Sequence, residues 1–306
     1  MNGTKLSGIE GTNPLGFLAA IGIQVVFANE SEQPMLWWSN DITPRAMVSE
    51  QFSVTRIAER AVRTFEYWKT SPALSVQGSD GKSNSKLDDL KLKPAEIRAY
   101  LSSATGNDRG VELASALLAE GSLDRKGVAK PTDLYFTAGQ QKFLQIARKV
   151  LSAATYQEVE AGLVGPWKYE NESPSLGWDV TDDREYALRS RDPSSDKKHT
   201  NPGVEALALL GLARFPVFAA RETTLTQGCS GSWKKGRFSW PIWDRPATLH
   251  GVKSLLANAY EHSQHTERSR FYTGWGIVKI LKSPIRRSEQ GGYGTFGPPE
   301  VVWERS

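Results

Sequence analysis

The sequence predicts an α+β fold, with a mostly helical body over residues 1–218 and a basic, more sheet-rich lobe over residues 219–306; one continuous domain would hold both. Three observations carry that prediction. Two apolar runs with helix-starting signals, GTNPLGFLAAIGIQVVFA from Gly11 and NPGVEALALLGLARFPV from Asn201, lie in the first part. Short segments rich in β-branched and aromatic residues crowd the last third. A composition of 39% hydrophobic and 24% charged residues in 306 is that of a globular chain long enough for one large domain or two ordinary ones.

Thr12 or Asn13 caps the first helix, Pro14 takes its first turn, and Leu15 to Ala28 is apolar all round except at Gln24. A helix of that kind lies in a core or a membrane. About 15 residues at 1.5 Å each give ~22 Å, short of the ~30 Å hydrocarbon layer. A core helix is expected, with Gly16 and Gly22 letting other backbones approach. Lys5 and the small residues after the run would suit a signal peptide, but Glu10, the capped start and Gln24 argue against one. No other run approaches membrane length, so no membrane contact is expected.

A short aromatic strand over Met35–Trp38 is followed by a helix over Pro44–Lys69. Phe52, Ile57, Ala61, Phe65 and Trp68 make its apolar face, and Arg56, Glu59, Arg60 and Arg63 its solvent face. Gln77–Lys86 is a Gly/Ser loop whose two glycines stand only three apart, so the phosphate-loop spacing is absent. Helices are expected over Pro94–Ala104 and Gly110–Ala119, then a strand over Leu134–Phe136 running into a helix with Phe143, Ile146, Ala147 and Val150 inside. Gln140, Gln141 and Lys142 fall in the first turn of that helix, where free N–H groups favour anions and glutamine can pair with base edges. A short helix over Gln157–Leu163 closes at Gly165-Pro166.

Ser173–Thr200 is a long, charged loop, and loops beyond ~12–15 residues in compact domains are functional or disordered. Trp178 and Tyr186 offer anchors that favour function. Asn201 as cap, Pro202 at the first helical position and Pro216 as stop bound a buried helix over Val204–Leu212. In the last third Thr223–Leu225, Arg237–Trp240, Trp275–Lys282 and Gly292–Phe296 read as strands around one helix, Thr248–Ala259.

The net charge of +4 is unevenly spread. From Arg221 onward 13 Lys/Arg face 7 Asp/Glu, whereas the preceding residues carry a small negative balance. A basic third on a near-neutral body suits phosphate backbones or another anionic partner. The single Cys229 fits a reducing, cytoplasmic compartment. His250, His262 and His265 lack a Cys or carboxylate at ligand spacing, so neither a metal nor another cofactor is expected. Asp179, Asp182, Asp183 and Glu185 could hold Mg²⁺ in a metal-dependent nuclease, but four carboxylates on one loop more often make turns and pair with neighbours. No nucleophile elbow or dinucleotide fingerprint is present, and no catalytic residue is assigned.

What remains is cations interleaved with aromatics. Trp233-Lys234-Lys235-Gly236-Arg237-Phe238 sets Lys234, Lys235 and Arg237 beside stacking surfaces. Arg286 and Arg287, with Arg268, Arg270, Lys279 and Lys282, add charge around Tyr272 and Trp275, and the loop cations Arg189, Arg191, Lys197 and Lys198 can join them. The pattern points to nucleic acid without a reaction centre; a purely structural assembly subunit using Trp and Leu surfaces is the other non-catalytic reading.

Five blocks, in order, carry a resemblance: GTNPLGFLAAIGI, LYFTAGQQKFL, GWDVTDDREYALRSRDPS with NPGVEALALLGLARFPV, FSWPIWDRPATLHGVKSLL, and IRRSEQGGYGTFGPPEV. Together they span nearly the whole chain and resemble the large-subunit proteins of type I-U (also called I-G) CRISPR effector complexes. The resemblance implies a non-catalytic subunit of a Cascade-type surveillance complex. Its partners would be crRNA, target double-stranded DNA, the backbone and small subunits, and the helicase–nuclease. Guide pairing would supply sequence specificity and the protein would read a short flanking motif and backbone shape, a division known from a different effector. The chain is short for a large subunit, which implies that a separate small subunit supplies a helical bundle.

Overall fold

The computed structural model describes residues 2–75, 88–106, 108–124, 126–182, 199–220, 223–258, 266–288 and 292–305. The fold is α+β. β1 (Thr4–Glu10) leads into α1 (Pro14–Val26), followed by β2 (Leu36–Trp38), β3 (Arg45–Val48) and α2 (Val54–Thr70). α3 (Pro94–Thr105), α4 (Asp108–Leu117), α5 (Phe143–Ala153) and α6 (Tyr156–Val164) continue the body. Short β4 (Asn171–Glu172) and β5 (His199–Thr200) pair ahead of α7 (Pro202–Gly211). The remainder is β6 (Val217–Ala220), β7 (Thr223–Thr226), β8 (Cys229–Ser230), β9 (Gly236–Trp243), α8 (Leu249–Asn258), α9 (Thr266–Gly274), β10 (Ile277–Arg287), β11 (Gly294–Phe296) and β12 (Glu300–Glu304).

α1 follows from its sequence. Asn13 is the cap, its side chain accepting from Leu15 N at 3.0 Å, and every residue of the helix is buried. The one polar member, Gln24, places both of its amide donors: Nε2 donates to the carbonyls of Pro34 and Ala247, each at 2.9 Å. α7, likewise buried throughout, lies against α1. A Cβ on Gly22 would overlap the Leu207 carbonyl, and one on Gly211 would overlap that of Leu18, so the two backbones touch at both crossings.

The expected helix over Pro44–Lys69 is corrected. Its first residues form β3, the centre of an antiparallel β1-β3-β2 sheet, with Ala46 opposite Leu6 and Trp38. The helix starts only at Val54, capped by the Ser53 hydroxyl. Four residues are too few to show a period of two, and of the two partner strands β1 is distant in sequence; β1 itself went unforeseen because TKLSGIE shows no regular alternation.

The second sheet has the order β11-β10-β9-β8, with β12 also on β10. Its inner face meets α1 in one aromatic group. The Phe17 ring lies 5.8 Å from Trp38, 5.9 Å from Trp240, 6.3 Å from Trp243 and 6.5 Å from Phe215. Trp240 Nε1 donates to Gly11 O and Trp243 Nε1 to Leu36 O, both at 2.8 Å. The C-terminal strands and the N-terminal helix thus share one core. No helix among the described residues is long and apolar enough to cross a membrane.

A second correction concerns Leu134–Phe136, which is buried but not a strand. Its three carbonyls are taken by three unrelated donors: Trp178 Nε1 on Leu134 at 3.0 Å, Arg287 Nη1 on Tyr135 at 2.6 Å, and Gly294 N on Phe136 at 2.9 Å. Extended backbone satisfied this way needs no ladder. A third correction follows from it: Gln140, Gln141 and Lys142 precede α5, Lys142 being its N-cap residue, instead of forming its first turn.

Candidate nucleic-acid interface

The end of β10 carries the organising side chain. Arg287 reaches across to the segment before α5, donating Nη1 to Tyr135 O and Nη2 to Asp133 O at 2.6 and 2.7 Å. Its guanidinium carbon lies 5.1 Å from the Phe136 ring centre and 3.9 Å from that of Trp233. Burial lowers its pKa to about 10, opposed by the nearby Asp133, so it stays cationic at neutral pH. Burial also raises the Asp133 carboxyl above its ordinary value and pushes the Cys229 thiol up well beyond its own, which leaves that thiol neutral.

Above Arg287 the turn between β8 and β9 exposes Trp233, Lys234 and Lys235, closed by Lys235 N donating to Ser232 O at 2.9 Å. Arg237 is exposed on β9, opposite Pro284 of β10 and Ser230 of β8. Arg286, half-buried, stands beside Gly297. The Gln140 turn joins this end through Tyr293, whose hydroxyl sits where a Cβ on Gly139 would come within 2.7 Å. Gln140 is exposed, Gln141 N donates to Ala138 O at 3.0 Å, and Lys142 Nζ is 4.0 Å from Asp89 Oδ2. Asp89 also accepts from Tyr135 OH and Phe143 N, at 3.0 and 3.2 Å, so Lys142 borders a carboxylate already in use.

The structure therefore gathers Trp233, Lys234, Lys235, Arg237, Arg286, Arg287 and the Gln140–Lys142 turn around the β10–β11 end. Arg189, Arg191, Lys197 and Lys198 lie outside the described residues. Of the other cations, Lys279 and Lys282 pair with Glu304 and Glu300 at 2.9 and 3.1 Å, and Tyr272 is buried against Trp303.

In the carboxylate run, Asp179 is buried and accepts from Asn13 Nδ2, Tyr169 OH and Thr181 N at 3.0, 2.8 and 3.0 Å. It ties the end of α1 to the segment after β4. Asp183, Glu185 and Tyr186 lie outside the described residues. Among the described residues no group of three or more His, Cys, Asp or Glu could hold a metal ion.

Sequence reasoning missed Tyr293 and the buried contacts of Arg287. Tyr293 had a signal, since an aromatic among glycines in GGYG reads as a ring set into a tight turn. Arg287 had none, because nothing local separates it from its neighbour Arg286. Compared with models of known protein families and with curated protein sequences, the chain matches none.

Proposed function

We propose that this chain is a non-catalytic subunit of an RNA-guided type I CRISPR surveillance complex, working in the cytoplasm. It binds target double-stranded DNA near the flanking motif, supports opening of the duplex over the crRNA, and offers a docking surface to the helicase–nuclease beside the backbone and small subunits. The observation that carries the DNA-binding part is Trp233, half open to solvent and backed by the Arg287 cation, with exposed Lys234, Lys235 and Arg237 next to it. Cations give affinity for any phosphate backbone, and an exposed indole offers a stacking or wedging face. The assignment to a CRISPR complex is supported by the ordered sequence blocks and rests on them.

The test compares the assembled guide–backbone complex with and without this chain on a duplex library randomised beside the target. Selection of a short flanking motif only by the complete complex supports the proposal. Equal selection by both makes the chain an assembly or recruitment part.

A further inference from the structure

A second group of aromatics and cations lies at the opposite end of the β9–β10 pair. β9 is eight residues long and ends at Trp243, opposite Ile277 of β10; at ~3.3 Å per residue this lies a strand's length from the Arg237 end. Here α9 turns Tyr272 inward onto Trp303 and leaves Phe271 and the following Trp275 outward, 59% and 43% exposed. Their ring centres are 6.2 Å apart with planes tilted by 41°. Arg245, exposed, lays its stem across Gly276 and reaches Gly274 O at 3.4 Å with Nη1, which sets its charge beside Trp275. Arg270, also exposed, adjoins Phe271. Asp244, the carboxylate next to Arg245, is paired with Arg305 at 2.5 Å and leaves Arg245 uncompensated by it.

Two aromatic faces a ring-spacing apart, flanked by two guanidinium groups, match one ligand chemistry: unpaired nucleobases on the rings and their phosphates on the arginines. A duplex keeps its bases stacked on one another and admits at most a single wedged side chain at a step, so a pair of adjacent rings favours unpaired bases. We propose that Phe271 and Trp275 form a stacking platform for single-stranded nucleic acid, with Arg245 and Arg270 holding its backbone. The inference rests on the nucleic-acid reading above and adds a site to it, of a different ligand form, away from the Lys234–Arg237 turn.

The experiment uses the whole chain and two probes, an oligothymidylate of ~10 nucleotides, within the ~4–16 typical of one single-strand site, and a duplex of ~20 base pairs. Stacking contributes ~1–3 kcal/mol per base, so the double variant Phe271→Ala/Trp275→Ala is expected to bind oligothymidylate at least ~10-fold more weakly and the duplex within ~2-fold of the parent. Trp275→Phe, which keeps a ring, should retain most of the affinity but lose part of the tryptophan quenching that the oligomer causes. Unchanged oligothymidylate affinity in the double variant, or undiminished quenching in Trp275→Phe, overturns the platform and leaves the face to a protein partner. Duplex binding by Lys234→Ala/Lys235→Ala/Arg237→Ala, measured alongside, judges the first interface separately.

Discussion

The guanidinium carbon of Arg287 lies 3.9 Å from the centre of the Trp233 ring, yet Trp233 keeps 55% of its surface open. One face of the indole rests on a partly buried cation and the rest is offered to solvent. The two residues should therefore respond differently to truncation. Trp233→Ala should leave stability within ~1 kcal/mol while weakening nucleic-acid binding by ~1–3 kcal/mol. Arg287→Ala removes the donors to Tyr135 O and Asp133 O and should cost ~2–4 kcal/mol of folding stability. Urea titration and binding isotherms on both variants separate the effects; equal loss of stability would make Trp233 a packing residue.

Lys234, Lys235 and Arg237 are exposed on one turn and strand. If each meets a duplex phosphate, replacing all three with Ala should reduce the slope of log affinity against log salt by up to ~2.7, since each contact contributes ~0.9 on B-DNA. The loss should be the same for unrelated sequences. An unaltered slope removes this face from the interface.

Asp133 gives a pH dependence with a defined sign. Burial raises its carboxyl above the ordinary value, more than Thr226 and Arg287 lower it. A raised carboxyl contributes stability while protonated and loses it as pH rises through the folded-state value. The stability of the parent relative to Asp133→Asn should therefore fall as pH rises from the ordinary carboxyl value, about 4, through the higher folded-state value. Denaturation midpoints at a series of pH values check this, and a relative rise would mean that the attraction of Arg287 outweighs burial.

The crossing of α1 and α7 leaves no room at Gly22. Gly22→Ala should destabilise by ~3 kcal/mol or more, the upper range for overpacking, because the obstacle is the Leu207 backbone and not a movable side chain. Gly106→Ala, with nothing within 4 Å and an ordinary negative φ, should be neutral or stabilising by up to ~1 kcal/mol. Thermal melts of the pair distinguish the two.

Much of this architecture is legible in the sequence where the signals are local. Asn13-Pro14 and Asn201-Pro202 mark the starts of the two central helices, and runs without charge from Leu15 and from Ala206 mark their burial. Gly16 and Gly22 stood out because an all-apolar helix has no other use for them. What stayed hidden is long-range. β1 and β3 exist because they pair with each other, Thr4 opposite Val48, and neither has a pattern of its own. Leu134–Phe136 has strand composition but is held by Trp178, Arg287 and Gly294 from three other regions. At the candidate interface the clustering of cations was readable. The difference between exposed Arg237 and partly buried, stacked Arg287 was not, because it depends on where residues 133–136 lie.

The group around Phe17 also sets a timetable for birth on the ribosome. Trp240 and Trp243, which close over that ring, are made roughly two hundred residues after α1, or ~10–40 s later at ordinary rates of synthesis. Throughout that interval the side of the helix that those two rings cover lacks its permanent partner. The nascent chain must be shielded by a chaperone or by transient collapse, and products terminated before Trp243 should accumulate as aggregates or be degraded. Production of this protein is thus expected to depend on shielding capacity during translation more than on the stability of the finished fold.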